Sequence, residues 1–181
     1  VFEINKYTVT FKIDEEVVEQ KEVQHGGSVT SPTALEKTGY TFKGWDKELN
    51  NITSNLEVNA VYEVIKYEVI YKVDGVVYEE YQLEHGAPCP TPTTPTKTGY
   101  TFKGWDKEFT SVTQNIEINA VFEINKYTVT FKVDDEVYEE YQVEYGKDCS
   151  TPDNPSKVGH TFKSWDQEFT NVQTNLVINA V

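Results

Sequence analysis

Apolar and polar residues alternate along KYEVIYKV in the middle of the chain. Tyr67, Val69 and Tyr71 fall on one face of an extended strand, because successive side chains point to opposite sides. The Asp74-Gly75 pair that follows is a strong signal for a two-residue hairpin of type I′, in which both central residues need a positive φ. The pattern therefore predicts a β-hairpin with a return strand of similar length.

The same hairpin pattern occurs earlier and later in the chain with other residues at the turn. Asp14-Glu15 and Asp134-Asp135 stand at the corresponding positions. Neither pair contains the glycine that favours a type I′ turn. We therefore predict that these two hairpins persist with a different turn type.

A proline-rich stretch, APCPTPTTPTKTG, follows the central hairpin. Each proline removes a backbone donor and restrains the residue before it, so the stretch is extended rather than helical. We predict a crossover connection that lies against the sheet and is anchored by Cys89. A third strand starts at Tyr100, and the alternating segment NIEINAVFE predicts a fourth.

This arrangement occurs three times, and equivalent residues recur every 60 positions. A fixed period of this length is typical of repeat architectures. The predicted modules are residues 1–62, 63–122 and 123–181. The junction AVYEVIKYEVIYK contains no glycine or proline, so we expect a stiff link of about four residues rather than a flexible linker. Parallel first and last strands would then give a rod with on the order of 35 Å per module.

The segment TGYTFKGWDKE occurs twice, and VGHTFKSWDQE is its looser third copy. On a regular strand its phenylalanine points inward and its tryptophan outward, which would make Trp45, Trp105 and Trp165 candidate ligand-stacking residues. Alternatively, a bulge at Gly44 turns the indole back to the core. We favour the core, because a module of 60 residues needs its largest side chain for packing.

The composition narrows the classes of partner. The net charge is −14 and no module has a basic face, so we expect no nucleic-acid partner. Without an apolar run of 18 or more residues, we expect no membrane insertion. Cys89 and Cys149 share one repeat position with Val29, which indicates a small buried hydrophobe rather than a disulfide or metal ligand.

Candidate catalytic groups are scattered rather than clustered. His25 and His85 share a repeat position with Tyr145, and His160 replaces a tyrosine, which is typical of an aromatic packing position. Phosphate-binding loops, zinc spacings and nucleophile elbows are absent from the sequence. The adjacent carboxylates at Glu79-Glu80 point to opposite faces of a strand. We therefore predict no enzyme activity, no catalytic residue, no metal site and no cofactor.

These motifs resemble the Listeria-Bacteroides repeat, the B-repeat of listerial internalins. The resemblance covers all three modules, and GYTFKGW at 39–45 and 99–105 is its most specific part, with GHTFKSW at 159–165 a weaker match. It implies a mainly β fold, α+β at most, made of β-grasp-like (ubiquitin-like) modules. The family supplies no catalytic residues. The segment between the tryptophan and the last strand is shorter than in the internalin type.

The resemblance also implies a location and a role. Such modules occur in tandem on secreted or cell-wall-associated bacterial proteins, including those of Gram-positive bacteria, as stalk, adhesion or interaction segments. We therefore expect an extracellular, non-enzymatic stalk whose partners are the neighbouring domains of a longer surface protein. The alternatives are an adhesin-type module that binds a host protein or glycan through an aromatic surface, and a spacer for an enzyme elsewhere in the same polypeptide.

Overall fold

A computed structural model describes residues 1–33, 35–108 and 110–181 of the chain. The regular structure within these residues consists of strands, without a helix. Three small sheets correspond to three tandem modules, so the predicted mainly β fold is confirmed. The strands are β1 (Lys6–Ile13), β2 (Glu16–Gln24), β3 (Tyr40–Trp45), β4 (Leu56–Val64), β5 (Lys66–Val73), β6 (Val76–Glu84), β7 (Tyr100–Trp105), β8 (Ile116–Ile124), β9 (Lys126–Val133), β10 (Glu136–Glu144) and β11 (Leu176–Asn179).

Each sheet places the first strand of its module at the centre. The strand order is β2-β1-β4-β3 in the first sheet, β6-β5-β8-β7 in the second and β10-β9-β11 in the third. In the first sheet β1 pairs antiparallel with β2 and parallel with β4, and β9 makes the same two kinds of pairing in the third. This is a β-grasp-like arrangement, and it requires a long connection from the β2 edge to the β3 edge.

The proline-rich segments make that connection, as predicted. Their described residues form no strand, yet Pro92, Pro95 and Pro152 are buried. Cys149 is 6% exposed within the core of its module, and Cys89 at the equivalent position is half-buried. The segments therefore cover one face of each sheet and complete a core that a sheet of three or four strands cannot enclose.

The chain forms two compact units, and each has its own apolar cluster. The first unit, mainly Val1–Ile70, is built around Val9, Phe11 and Val58, none of which has measurable exposure. The second, mainly Glu117–Val181, repeats the cluster with the residues Val129, Phe131, Val143, Cys149, Val172 and Ile178. The alternation of the sequence is responsible, because every second residue of β1 and β9 faces this core.

A β-bulge interrupts the pairing of the third strand with the fourth. Phe42 pairs with Tyr62 and Gly44 with Val61, so one residue of β3 is left over between them. Gly44 has a φ of 138°, a value that side chains rarely adopt, and the bulge recurs at Gly104. The extra residue brings Phe42 and Trp45 to one face, which confirms the bulge interpretation.

The three hairpin turns share one backbone conformation, which corrects the expectation of different turn types. Both central residues have a positive φ in every case: 47° and 70° at Asp14-Glu15, 50° and 80° at Asp74-Gly75, and 52° and 65° at Asp134-Asp135. The right-handed twist of the flanking strands selects this geometry whatever the residues are. Glu15 and Asp135 are therefore held in a strained left-handed conformation.

The first module runs directly into the second. β4 ends at Val64 and β5 begins at Lys66, so Ile65 alone separates them, where about four linking residues were expected. β8 and β9 are likewise separated by Asn125. β4 and β8 extend two residues beyond the predicted limits at 62 and 122. The exact module boundaries stay a prediction.

A carboxylate–amide pair fixes the start of the turn after each tryptophan. The side chain of Asp46 accepts hydrogen bonds from the backbone N and from Nδ2 of Asn59, at 2.7 and 2.9 Å. Asp166 and Asn179 repeat the pair at 2.9 and 2.8 Å. The hydrogen bonds from Asn179 lower the pKa of Asp166 below its ordinary value. This pair explains why an aspartate follows the tryptophan and an asparagine precedes the alanine of the fourth strand in every repeat.

Replacing the strained turn residues by glycine should stabilise their modules. For Glu15→Gly and Asp135→Gly we expect the free energy of unfolding to rise by roughly 0.5–1 kcal/mol. Glycine relieves the strain of the left-handed conformation, and this gain is larger than the cost of its greater entropy in the unfolded chain. Native-state hydrogen exchange of the β1, β5 and β9 amides reports on the first, second and third modules separately. Gly75→Glu is the matched control and should destabilise its own module. If the amides of both glycine variants exchange as fast as those of the unchanged chain, or faster, the turn residues are not strained.

Removing the amide of Asn179 should lower stability in a pH-dependent way. Because the folded pKa of Asp166 is lowered, the stabilisation is present above the ordinary carboxyl pKa and is lost as the pH falls through the folded pKa. Asn179→Ala should therefore destabilise the third module near neutral pH by about 1 kcal/mol, with a smaller difference in acid. Hydrogen exchange at several pH values measures this. Asn154→Ala, at an exposed asparagine, should show no such dependence.

Candidate functional site

The three candidate stacking residues lie against the cores of their modules. Trp45 meets Phe11 edge-on with ring centroids 4.9 Å apart, and the corresponding distances are 4.8 Å for Trp105 to Tyr71 and for Trp165 to Phe131. Such contacts stabilise a core beyond the area they bury. All three indoles are half-buried, so each still shows part of its ring to solvent. A ligand-stacking role for them stays a prediction.

The surroundings of the indoles differ between modules. Tyr78 lies 6.2 Å from Trp105 with the rings tilted by 39°, and Tyr138 lies 6.2 Å from Trp165 with a tilt of 35°. Both tyrosines are more than a third exposed. The first module has Val18 at this position, packed against its core. The second and third modules therefore present a tyrosine–tryptophan pair at the sheet edge, and the first does not.

A lysine–aspartate pair, which sequence reasoning missed, closes each hairpin against the segment before the third strand. Lys37 Nζ lies 2.6 Å from a carboxylate oxygen of Asp14, 4.6 Å from the ring centre of Tyr40 and 5.4 Å from that of Tyr62. Lys97 with Asp74 and Lys157 with Asp134 repeat the ion pair at 2.8 and 2.6 Å. The recurrence of both residues in every repeat was the available signal.

Lys37 is cationic, and its environment favours the charged form. The hydrogen bond to Asp14 raises the pKa of Lys37, with a further contribution from the charge of that carboxylate. Ring faces also favour a cation. Beside the pair lies a shallow cleft of about 380 Å³ lined by Leu35, Tyr40 and Phe42, among others. Because Lys37 is charged and paired with a carboxylate, it is poorly suited to act as a base or nucleophile, and the ion pair instead holds the hairpin to the segment before the third strand.

The remaining polar candidates do not come together. Within the described residues, no group of three or more His, Cys, Asp or Glu side chains has the geometry to hold a metal ion. Neither cysteine forms a disulfide, and burial raises the pKa of Cys149, which disfavours the reactive thiolate. His25 and His85 each pack against a tyrosine with ring centroids 5.9 Å apart, as expected for an aromatic packing position.

No helix among the described residues is long and apolar enough to cross a membrane. In a comparison with curated proteins, the chain is 32% identical over 190 residues to a protein of Evansella cellulosilytica named "Putative membrane protein", with 92% of the chain and 29% of that protein aligned. It is 34% identical over 112 residues to Internalin H of Listeria monocytogenes, with 55% of the chain and 20% of Internalin H aligned. The chain thus spans less than a third of these relatives.

Among solved structures, the chain is similar to domains 3-4 of the Streptococcal High Identity Repeats in Tandem (SHIRT) from a cell surface protein. The identity is 18% and the TM-score 0.30, and the alignment covers 66% of the chain and 98% of that structure.

The family comparison agrees with the internal repeats. The sequence model of the Listeria-Bacteroides repeat domain matches residues 7–64, 67–124 and 127–178. These three ranges follow the three sheets and together cover most of the chain. The chain is a structural region of tandem repeats, and it belongs to the Listeria-Bacteroides repeat family.

Proposed function

We propose that the chain is a non-enzymatic stalk of an extracellular bacterial surface protein, which holds neighbouring domains away from the cell wall. The observation that carries the proposal is the direct passage of β4 into β5 through Ile65 alone. A single residue between two paired strands leaves little freedom for bending. The predicted modules, residues 1–62, 63–122 and 123–181, would then form one stiff segment.

The strand directions support an extended arrangement. β1 and β4 are parallel and adjacent, so the chain enters the first module at one end of its sheet and leaves at the other. β9 and β11 repeat this in the third module. Modules with entry and exit at opposite ends add their lengths when they are joined in tandem. If the modules are joined in this way, three of them at on the order of 35 Å each would make a rod of roughly 100 Å.

Contacts at the module ends support stiffness. The backbone N of Ile65 donates to the carbonyl of Gly39, and that of His85 donates to the carbonyl of Ile65, both at 2.8 Å. The linking residue is thus bound to the first module on one side and to the hairpin of the second on the other. The net charge of −14 agrees with a soluble spacer that does not bind nucleic acid.

Small-angle X-ray scattering tests the stalk. We expect a stiff, elongated particle with a maximum dimension of roughly 100 Å. The matched control carries a short Gly-Ser insertion after Ile65, which should broaden the distance distribution because it frees the junction. A compact particle, or an unmodified chain as flexible as the inserted one, would rule out the proposed function.

A second candidate function is adhesion through the aromatic pairs. The exposed tyrosines at 78 and 138 lie beside half-buried tryptophans and provide flat surfaces on which a sugar ring or a peptide of the host could stack.

Tyr78→Ala combined with Tyr138→Ala tests this adhesion. On an array of host glycans and on immobilised host proteins, the double variant should lose the binding of the unchanged chain without loss of fold. Val18→Tyr, which completes a third pair, should strengthen that binding. Absence of binding by the unchanged chain, or binding that survives the double substitution, would exclude this function.

A further inference from the structure

The first and last strands of the first module are paired along four residues of each. Val9 of β1 lies opposite Leu56 of β4, and the parallel register continues to Lys12 opposite Asn59. Phe11 and Val58 face each other in this register, and neither has measurable exposure. The apolar core therefore shields one side of the ladder from water, and hydrogen bonds gain strength where the local dielectric constant is low.

A side chain extends this ladder beyond its backbone pairs. The backbone N of Thr8 in β1 donates a hydrogen bond at 2.9 Å to the Oδ1 atom of Asn55, which directly precedes β4. The same bond recurs at 2.9 Å in the other modules, from Glu68 to Asn115 and from Thr128 to Asn175. The asparagine before the last strand of every repeat is thus bonded directly to the first strand.

An ion pair crosses the same two strands in the first and second modules. The lysine Nζ atom and a glutamate oxygen are 2.9 Å apart in the pair Lys12–Glu57 and 2.7 Å apart in the pair Lys72–Glu117. The third module keeps the lysine as Lys132 but has Val177, an exposed valine, in place of the glutamate. The valine shows that the fold forms without this ion pair, which therefore adds to a ladder that is already complete.

Tension along the chain acts on these strands in the direction in which they are hardest to separate. The chain enters the first module at the start of β1 and leaves it at the end of β4. Because the two strands are parallel and adjacent, pulling on the entry and the exit slides them past each other along their length. The hydrogen bonds between them then resist at the same time. The antiparallel pair of β1 and β2, with Lys6 opposite Gln24, would instead open from one end, one bond after another.

We propose that the pairing of the first and last strands, together with the asparagine before the last strand, is a mechanical clamp that keeps each module folded under tension. In the first module the clamp consists of the four backbone pairs, the bond from Thr8 to Asn55 and the ion pair of Lys12 with Glu57. The use of the clamp rests on the proposed stalk, because a spacer between a cell and the partners of its outer domains is pulled from both ends. Forced unfolding is governed by the unfolding rate, so the clamp acts on that rate.

Pulling single molecules with optical tweezers tests the clamp on the full chain in two directions. In the shear geometry, handles on non-natural residues at the exposed positions of Asn5 and Lys66 pull β1 against β4. In the peeling geometry, handles at Asn5 and Gln24 pull β2, an edge strand, away from β1. The shear geometry should need a several-fold higher force and give one event that lengthens the molecule by roughly 180 Å.

Two substitutions separate the clamp from general stability. Asn55→Ala should lower the rupture force in the shear geometry and leave it unchanged in the peeling geometry, because β2 detaches without breaking a bond between β1 and β4. Glu57→Val gives the first module the residue of the third at a side chain that is 65% exposed, so the module should still fold, with a lower shear force. Glu22→Val is the matched control, since its ion pair with Lys6 joins β1 to β2, and it should not change the shear force.

Equal rupture forces in the two geometries would overturn the clamp. An effect of Asn55→Ala that is equally large in both geometries would also overturn it, because the asparagine would then act through the stability of the whole module. Should Asn55→Ala fail to fold, an unchanged shear force in Glu57→Val decides against the clamp. The stalk is tested separately by scattering: a flexible chain with resistant modules would keep the clamp and exclude the stalk, and a stiff chain with weak modules would do the opposite.

Discussion

The parallel pairing of the first and last strands is the constraint on which each module depends. Parallel neighbours cannot be joined by a tight turn, so the chain must cross from one edge of the sheet to the other. In a module of 60 residues the crossover is the proline-rich segment, and it also covers the core. The same pairing places the entry and the exit of the chain at opposite ends of the sheet in the first and third modules.

A small core explains the other recurring features. A module of this size buries a modest share of its surface, so each large side chain must contribute to packing. The bulge at Gly44 turns Trp45 onto Phe11, and the Asp46–Asn59 pair secures the chain directly after it. In the third module Ser164 replaces the glycine and no strand forms there, yet the indole still packs on Phe131. The contact, rather than the glycine, is what the module retains.

Local patterns predicted most of the fold, because strands, hairpins and the crossover each depend on neighbouring residues. The turn type at Glu15 was wrong since strand twist overrides the preference of the residue. The pair of Lys37 with Asp14 was missed because it joins residues 23 apart, and only the register of the sheet brings them together. Periodicity likewise left the direction of Trp45 open, since a single extra residue in β3 reverses it.

The two glycines of the TGYTFKGW motif have different physical origins. Gly44 has open space where a side chain would be and is needed for its φ of 138°, so it serves its own module. Gly39 is needed because the ring of His85, from the following module, occupies that space. The second glycine of the motif is thus needed for the fold of its own module, and the first glycine is needed for the contact with the following module. The ring on Gly39 belongs to His85, and the ring on Gly99 belongs to Tyr145. The aromatic residue therefore differs between the two junctions, while the contact of a ring with a glycine is the same.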